Sequence, residues 1–182
     1  MEYDDGIPLT DFCRRHQGSI ADRLRLFRAM CEAVRYAHSL AIIHRDLKPT
    51  NVLVQADGNI KLLDFGIAKQ LEPKKANFDQ TRTGLRLMTP AYAAPEQIRA
   101  EPAGTYTDVY ALGVILYQLL TDRLPFPTAN QSPGELEASV ITRTPEKPSA
   151  VGRRLPQNTH VTAWPDLDVL CLTALQKEQP PA

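Results

Sequence analysis

The stretch from Val109 to Leu120 constrains this chain more than any other. Val109, Leu112, Ile115, Leu116, Leu119 and Leu120 fall on a helical period that begins near Thr107 or Asp108, and the segment is apolar nearly all round. A helix apolar on every side has no face to offer to water. It must lie at the centre of a helical unit, covered by other elements. The run includes Gly113 and Gln118 and is far too short to cross a bilayer. A chain of 182 residues is long enough to build one domain around it, and 43% apolar with 23% charged residues is a globular balance.

The covering elements are partly legible. Ser19 is a plausible N-cap with Asp22 as an imperfect capping-box partner, and Ile20, Leu24, Phe27, Met30, Val34 and Ala37 follow at helical steps. Val52-Leu53-Val54 and Ile60-Lys61-Leu62-Leu63 are short β-prone runs separated by Ala56-Asp57-Gly58-Asn59, which reads as a hairpin turn. Residues 69–95 have little periodicity and read as one long functional loop. Beyond Pro125 the chain is Pro-rich and reads as irregular until Asp166, where Leu167, Leu170, Cys171, Ala174 and Leu175 suggest a final helix. The expected class is α+β, mostly α-helical, with a small β-hairpin.

Charge and cysteine content narrow the function. Lys plus Arg and Asp plus Glu both count 21, so no global field favours nucleic acid or an acidic membrane. Cys13, Cys31 and Cys171 are far apart and odd in number, which fits free thiols better than a disulfide framework or metal site. The acidic start, Met-Glu-Tyr-Asp-Asp, is no signal peptide, so a cytoplasmic location is expected.

The chemistry sits in three motifs. His44-Arg45-Asp46-Leu47-Lys48-Pro49-Thr50-Asn51 is followed, thirteen residues after Asn51, by Asp64-Phe65-Gly66, and later by Ala94-Pro95-Glu96. Each tripeptide alone is a weak signal. In this order, with a hairpin between the first two and a long loop before the third, they resemble the catalytic loop, metal-binding turn and loop-end signature of protein kinases. The wording of Asp-Leu-Lys-Pro-Thr-Asn resembles the serine/threonine branch, and residues 85–97 resemble its bacterial members. The resemblance covers essentially the whole chain.

That resemblance implies roles. Phosphoryl transfer needs an acceptor hydroxyl held in line and cations to offset charge on the transferring group. Asp46 resembles the carboxylate that orients or accepts the substrate proton, Lys48 the group that steadies the γ-phosphate, and Asn51 and Asp64 the oxygen ligands of Mg²⁺. Thr89 resembles the threonine that bonds the catalytic Asp and Lys. Taken singly, Asp46, Asp64 and Asn51 would read as turn or cap residues. Asp108 resembles a buried aspartate that accepts catalytic-loop amides, and its place at a helix start suits an N-cap as well. His44 is expected to organise backbone, whereas His16, His38 and His160 show no partner pattern. Thr81 and Thr83 are candidate phosphorylation sites near Arg45 and Lys69; the alternative is a merely solvated loop.

The implied layout is a partial protein kinase domain over 1–182, with hinge 1–6, catalytic loop 44–51, metal turn 64–66, activation segment 64–96 and helical lobe 97–182. At the hinge, the Glu2 carbonyl and Asp4 amide would hold adenine, with Leu53 as the apolar floor beneath it. The expected partners are ATP and a protein substrate, with no nucleic acid and no membrane segment. On this reading the chain is the large C-terminal lobe alone, with the N-terminal lobe absent and truncation at both ends. Glu96 would lack its usual arginine, which costs about 3–5 kcal/mol for a buried carboxylate, so marginal stability and exposed apolar surface are expected. Two functions follow: an ATP-dependent serine/threonine kinase, weak as an isolated chain, or a non-catalytic kinase-like interaction module.

Overall fold

The computed structural model describes residues 6–64, 90–129, 131–155, 158 and 160–177. The chain enters through a two-residue strand β1 (Ile7–Pro8) and passes at once into α1 (Leu9–His16) and α2 (Ile20–Ser39). A 3₁₀ turn at Pro49–Asn51 leads to the hairpin β2 (Val52–Val54) and β3 (Ile60–Leu62). After a second 3₁₀ turn at Pro90–Tyr92 come α3 (Pro95–Ile98), α4 (Thr105–Thr121), α5 (Pro133–Thr142), α6 (Pro148–Gly152) and α7 (Trp164–Ala174).

The expected central helix is α4, and it is buried as its composition demands: thirteen of its seventeen residues are inaccessible. It starts at Thr105 rather than at Thr107 or Asp108, because Gly104 is the N-cap and donates its amide to Thr107 Oγ1 at 3.1 Å. Opposite faces of α4 feed two cores. Tyr110, Val114, Tyr117 and Leu120 pack with Leu136, Val140, Trp164 and Cys171. Leu112, Ile115 and Leu119 pack with Leu9, Met30, Val34, Leu47 and Val52. Burial of this many aliphatic and aromatic side chains, about 1.5–3 kcal/mol each, is the main force holding the lobe.

The Ser19 cap forms as expected: Ser19 Oγ accepts the Asp22 amide at 3.3 Å, and Asp22 Oδ2 accepts the Ser19 amide at 2.9 Å. The hairpin forms too, with Val52 opposite Leu62 and Val54 opposite Ile60. Its turn needs Gly58, whose φ of 84° lies in the left-handed region that other residues avoid. The hairpin becomes a three-stranded antiparallel sheet because Ile7 and Pro8 pair with Val54 and Leu53. Pro8 has no amide to donate and is therefore confined to this edge strand.

The segment after Pro125 differs from expectation. It contains α5 and α6 where the Pro-rich composition reads as irregular. Pro133 and Pro148 sit in the first turn of their helices, where a missing N–H costs nothing and the fixed φ assists initiation. Ser132 and Glu135 complete the α5 start with a reciprocal capping box. Cys13 and Cys171 are buried and Cys31 half-buried, all free. Burial pushes the Cys31 thiol up to about 11 and the Cys171 thiol up to about 12, so neither offers a ready thiolate. Among the described residues no helix is long and apolar enough to cross a membrane.

Gly152 closes the contact between α6 and α7. A Cβ there would stand 2.4 Å from the Trp164 ring and 2.8 Å from the Leu120 carbonyl oxygen. Gly152→Ala is therefore expected to overpack the lobe and lower stability by about 1–3 kcal/mol. Thermal denaturation by circular dichroism checks this; an unchanged melting temperature contradicts it.

Candidate active site

The 44–51 segment is held from beneath by one carboxylate. Asp108, in the first turn of α4 and 1% exposed, accepts the His44 amide at Oδ2 (2.8 Å) and the Arg45 amide at Oδ1 (2.8 Å). His38 Nε2 lies 2.7 Å from the same Oδ2 and donates to it. Asp108 is thus the backbone anchor and not the N-cap. His38, for which no partner was expected, is a third donor to it. Arg45 has φ 66°, a left-handed conformation that costs a non-glycine residue about 1–2 kcal/mol and persists only when neighbours impose it. The Asp108 bonds impose it.

His44 joins this segment to the hairpin. It is 1% exposed, and its Nε2 donates to the Leu63 carbonyl at 2.9 Å. Leu63 in turn donates its amide to the Asn51 carbonyl at 2.8 Å. Two bonds therefore stitch Leu63, the chain neighbour of Asp64, to both ends of the loop. Asp64 is exposed and has φ 53°, a left-handed conformation like that of Arg45. Burial lowers the His44 pKa below 6.5 despite the opposing charges of Asp108 and Asp46, so the ring is neutral and works as a structural donor.

Above this base the polar side chains converge. Asp46 Oδ2 accepts Lys48 Nζ at 2.9 Å and Asn51 Nδ2 at 3.2 Å. Asn51 Nδ2 also donates to the Asp46 carbonyl at 2.9 Å. The side chains of Asp46 and Lys48 are 19% and 21% exposed, half-shielded at a surface where their charges are only partly screened. With its nitrogen spent on Asp46, Asn51 has its amide oxygen to offer a ligand. A carboxamide oxygen and the Asp64 carboxylate are hard donors that suit Mg²⁺, an ion that takes a few protein oxygens and completes its shell with water and phosphate. Among the described residues no cluster of three His, Cys, Asp or Glu side chains forms a fuller metal cage.

Leu53 sits in the middle strand, 8% exposed, between Pro8 and Lys61. Gly6 backs directly onto it: a Cβ at position 6 would stand 2.9 Å from Leu53 Cβ. Glu2, Asp4, Phe65, Gly66, Thr81, Thr83 and Thr89 lie outside the described residues.

Two connections had no local sign in the sequence. Gln97 bridges the loop and the turn before α3, donating Nε2 to the Arg45 carbonyl at 2.8 Å and accepting the Ala94 amide at 3.0 Å. Tyr92 donates its hydroxyl to Gln118 Oε1 at 2.7 Å, tying the same turn to α4. Glu96, expected to lack its usual arginine, is buried and accepts the Thr107 hydroxyl at 2.7 Å.

A sequence model of the family described as protein kinase domain matches residues 1–168. Among the curated relatives, the chain is 36% identical over 179 residues to the serine/threonine-protein kinase PknB of Mycolicibacterium smegmatis, covering 97% of the chain and 27% of the relative. It is 42% identical over 155 residues to the serine/threonine-protein kinase Pkn1 of Myxococcus xanthus, covering 83% of the chain and 22% of the relative. The serine/threonine-protein kinase PknD of Protochlamydia amoebophila is 44% identical over 122 residues, covering 60% of the chain and 12% of the relative. The chain thus spans about a quarter or less of the length of these relatives.

Two outcomes follow from the buried polar groups. Thr107→Val keeps shape but removes the hydroxyl from the Glu96 carboxylate, which should cost about 1–3 kcal/mol in chemical denaturation; an unchanged midpoint contradicts the contact. The depressed His44 pKa means that the unfolded chain binds a proton near pH 6.5 while the folded chain does not. Stability should therefore fall as pH drops below about 6.5, and the slope should flatten in His44→Gln. Equal slopes in melts between pH 7.5 and 5.5 would sink that assignment.

Proposed function

The chain belongs to the protein kinase domain family, and from that premise we propose that it transfers the γ-phosphoryl group of ATP to serine or threonine hydroxyls of protein substrates. One observation carries the reading. Asp46 is a carboxylate aimed by two donors from its own loop, Lys48 and Asn51, on a backbone pinned by Asp108.

In this proposal Mg²⁺-ATP supplies the phosphoryl group and the metal charge that offsets the developing negative charge. Asp46 orients the acceptor hydroxyl and takes its proton as the new O–P bond forms and the bond from the γ-phosphorus to the β–γ bridging oxygen breaks, releasing ADP. Lys48, 2.9 Å from Asp46, sets a fixed positive charge beside that carboxylate and steadies the transferring group. Asn51 and Asp64 would hold the metal, and Leu53 would provide the apolar floor for the base. Much of the catalytic advantage on this account is positional, because Asp46, Lys48 and Asn51 are oriented before any substrate arrives.

The remaining roles rest on family membership and the motif wording. Glu2 and Asp4 present backbone groups to adenine, and Thr89 supports Asp46 and Lys48. Thr81 and Thr83 are the sites whose phosphorylation would regulate the loop, and the layout from hinge 1–6 to helical lobe 97–182 is the working division of the chain.

The purified protein, given Mg²⁺-ATP and a mixed serine- and threonine-bearing protein substrate, should transfer phosphate, and Asp46→Asn should lower kcat by about 10²- to 10⁴-fold. The nucleotide-dependent rise in melting temperature should survive Asp46→Asn and shrink in Asp64→Asn. Transfer that persists within tenfold in Asp46→Asn contradicts the proposal, as does the absence of both transfer and a nucleotide-dependent shift.

A further inference from the structure

Just past α7, Lys177 lies half-buried against the hydrophobic core rather than out in water. Its Nζ donates to the Val140 carbonyl on α5 at 2.5 Å. The same nitrogen stands 4.4 Å from the centre of the Phe126 ring and 5.7 Å from that of Tyr110. A carbonyl and two rings fix the position of the amine, but none of the three contacts is a carboxylate. Burial lowers the Lys177 pKa to about 8. A lysine desolvated among apolar groups in this way is the usual form of an activated amine nucleophile.

The amine has a cavity beside it. Lys177 lines a space of about 470 Å³ between α4 and α7, with Val109, Leu170 and Ala174 as an apolar wall. Val109 and Leu170 are 43% and 54% exposed, so the space opens to water. Glu96, Tyr106 and Tyr110 are the other titratable groups in its lining. Glu96 is buried and accepts the Thr107 hydroxyl. The Tyr110 hydroxyl is buried and has no hydrogen-bond partner among the described residues. Burial and then the Glu96 charge push its pKa up, so it stays a neutral donor in need of an acceptor.

We propose that Lys177 is an acylation site whose amine takes a short acyl group from a thioester, with the acyl chain against Val109 and Leu170 and the acyl oxygen accepting the Tyr110 hydroxyl. The Nζ lone pair attacks the thioester carbonyl carbon and a C–N bond forms. The C–S bond then breaks, and the sulfur leaves with the electron pair and takes up the proton shed by the nitrogen. The products are an amide and a free thiol. A thioester suits the cavity better than an acyl phosphate, because its reacting end is uncharged and Glu96 would repel an anion. The amide N–H can keep the Val140 bond, while the positive charge over the Phe126 ring is lost.

Acylation of the full chain by S-butyryl-N-acetylcysteamine, followed residue by residue with peptide mass spectrometry, tests this. Lys147, exposed just before α6, is the internal reference. At about pH 8 an amine of pKa about 8 is half neutral, whereas an ordinary lysine is neutral in only about 0.3% of molecules. Its lower basicity and partial burial give back much of that advantage, so Lys177 should react at least about fivefold faster than Lys147. The advantage should vanish in concentrated urea. It should also shrink in Tyr110→Phe, which loses the donor but keeps the ring, or in Leu170→Asp, an exposed position where the fold is not at stake. A ratio below about fivefold in the folded chain, an advantage that survives urea, or one unmoved by both substitutions overturns the proposal.

Discussion

The Asp108 carboxylate is the interaction on which the rest of the site depends. It is almost wholly buried yet accepts three donors, two loop amides and the His38 ring, at 2.7–2.8 Å. A buried carboxylate is costly unless its lone pairs are used, and here they are used to force a left-handed conformation at Arg45. The strain at that residue turns the chain so that Asp46 emerges next to Lys48 and Asn51. The carboxylate can be held this rigidly because α4, which carries it, is packed on both sides by hydrophobic cores. An apolar helix at the centre of the lobe and an oriented carboxylate at its surface are two ends of one arrangement.

The same logic governs the contacts around it. His44, Leu63 and Asn51 form a relay of bonds that sets the hairpin against the loop. Gln97 ties the Arg45 carbonyl to the turn before α3, and Tyr92 ties that turn back to α4. The site is thus a polar layer stapled to the apolar helix at several points. Each staple leaves Asp46, Lys48 and Asn51 less freedom, so their relative positions are set by the fold itself.

How much of this was legible depended on whether the signal was local. The apolar period of α4, the Ser19 cap and the Gly58 turn are short-range patterns, and the elements appear at or within a few residues of where they point. The contacts of Asp46 with Lys48 and Asn51 are confined to six residues, so their grouping was within reach of the sequence. Gln97 and His38 could not be, because their partners lie 52 and 70 residues away and no periodicity encodes such contacts. The helices at Pro133 and Pro148 were hidden for a different reason. Proline breaks a helix interior but favours its first turn, so composition alone makes a helix start look like a loop. Glu96 shows a similar limit: its hydroxyl partner, Thr107, is eleven residues on and belongs to the next helix.

Amide hydrogen exchange, resolved at individual residues, tests the central claim most directly. If Asp108 pins the 44–51 loop, the His44 and Arg45 amides should exchange slowly in the native protein, near the rate set by global unfolding. In Asp108→Asn, where one oxygen becomes a donor, both should exchange much faster while the amides inside α2 keep their protection. His44 and Arg45 amides that exchange rapidly in the native protein, or that stay equally protected in the variant, would contradict the account.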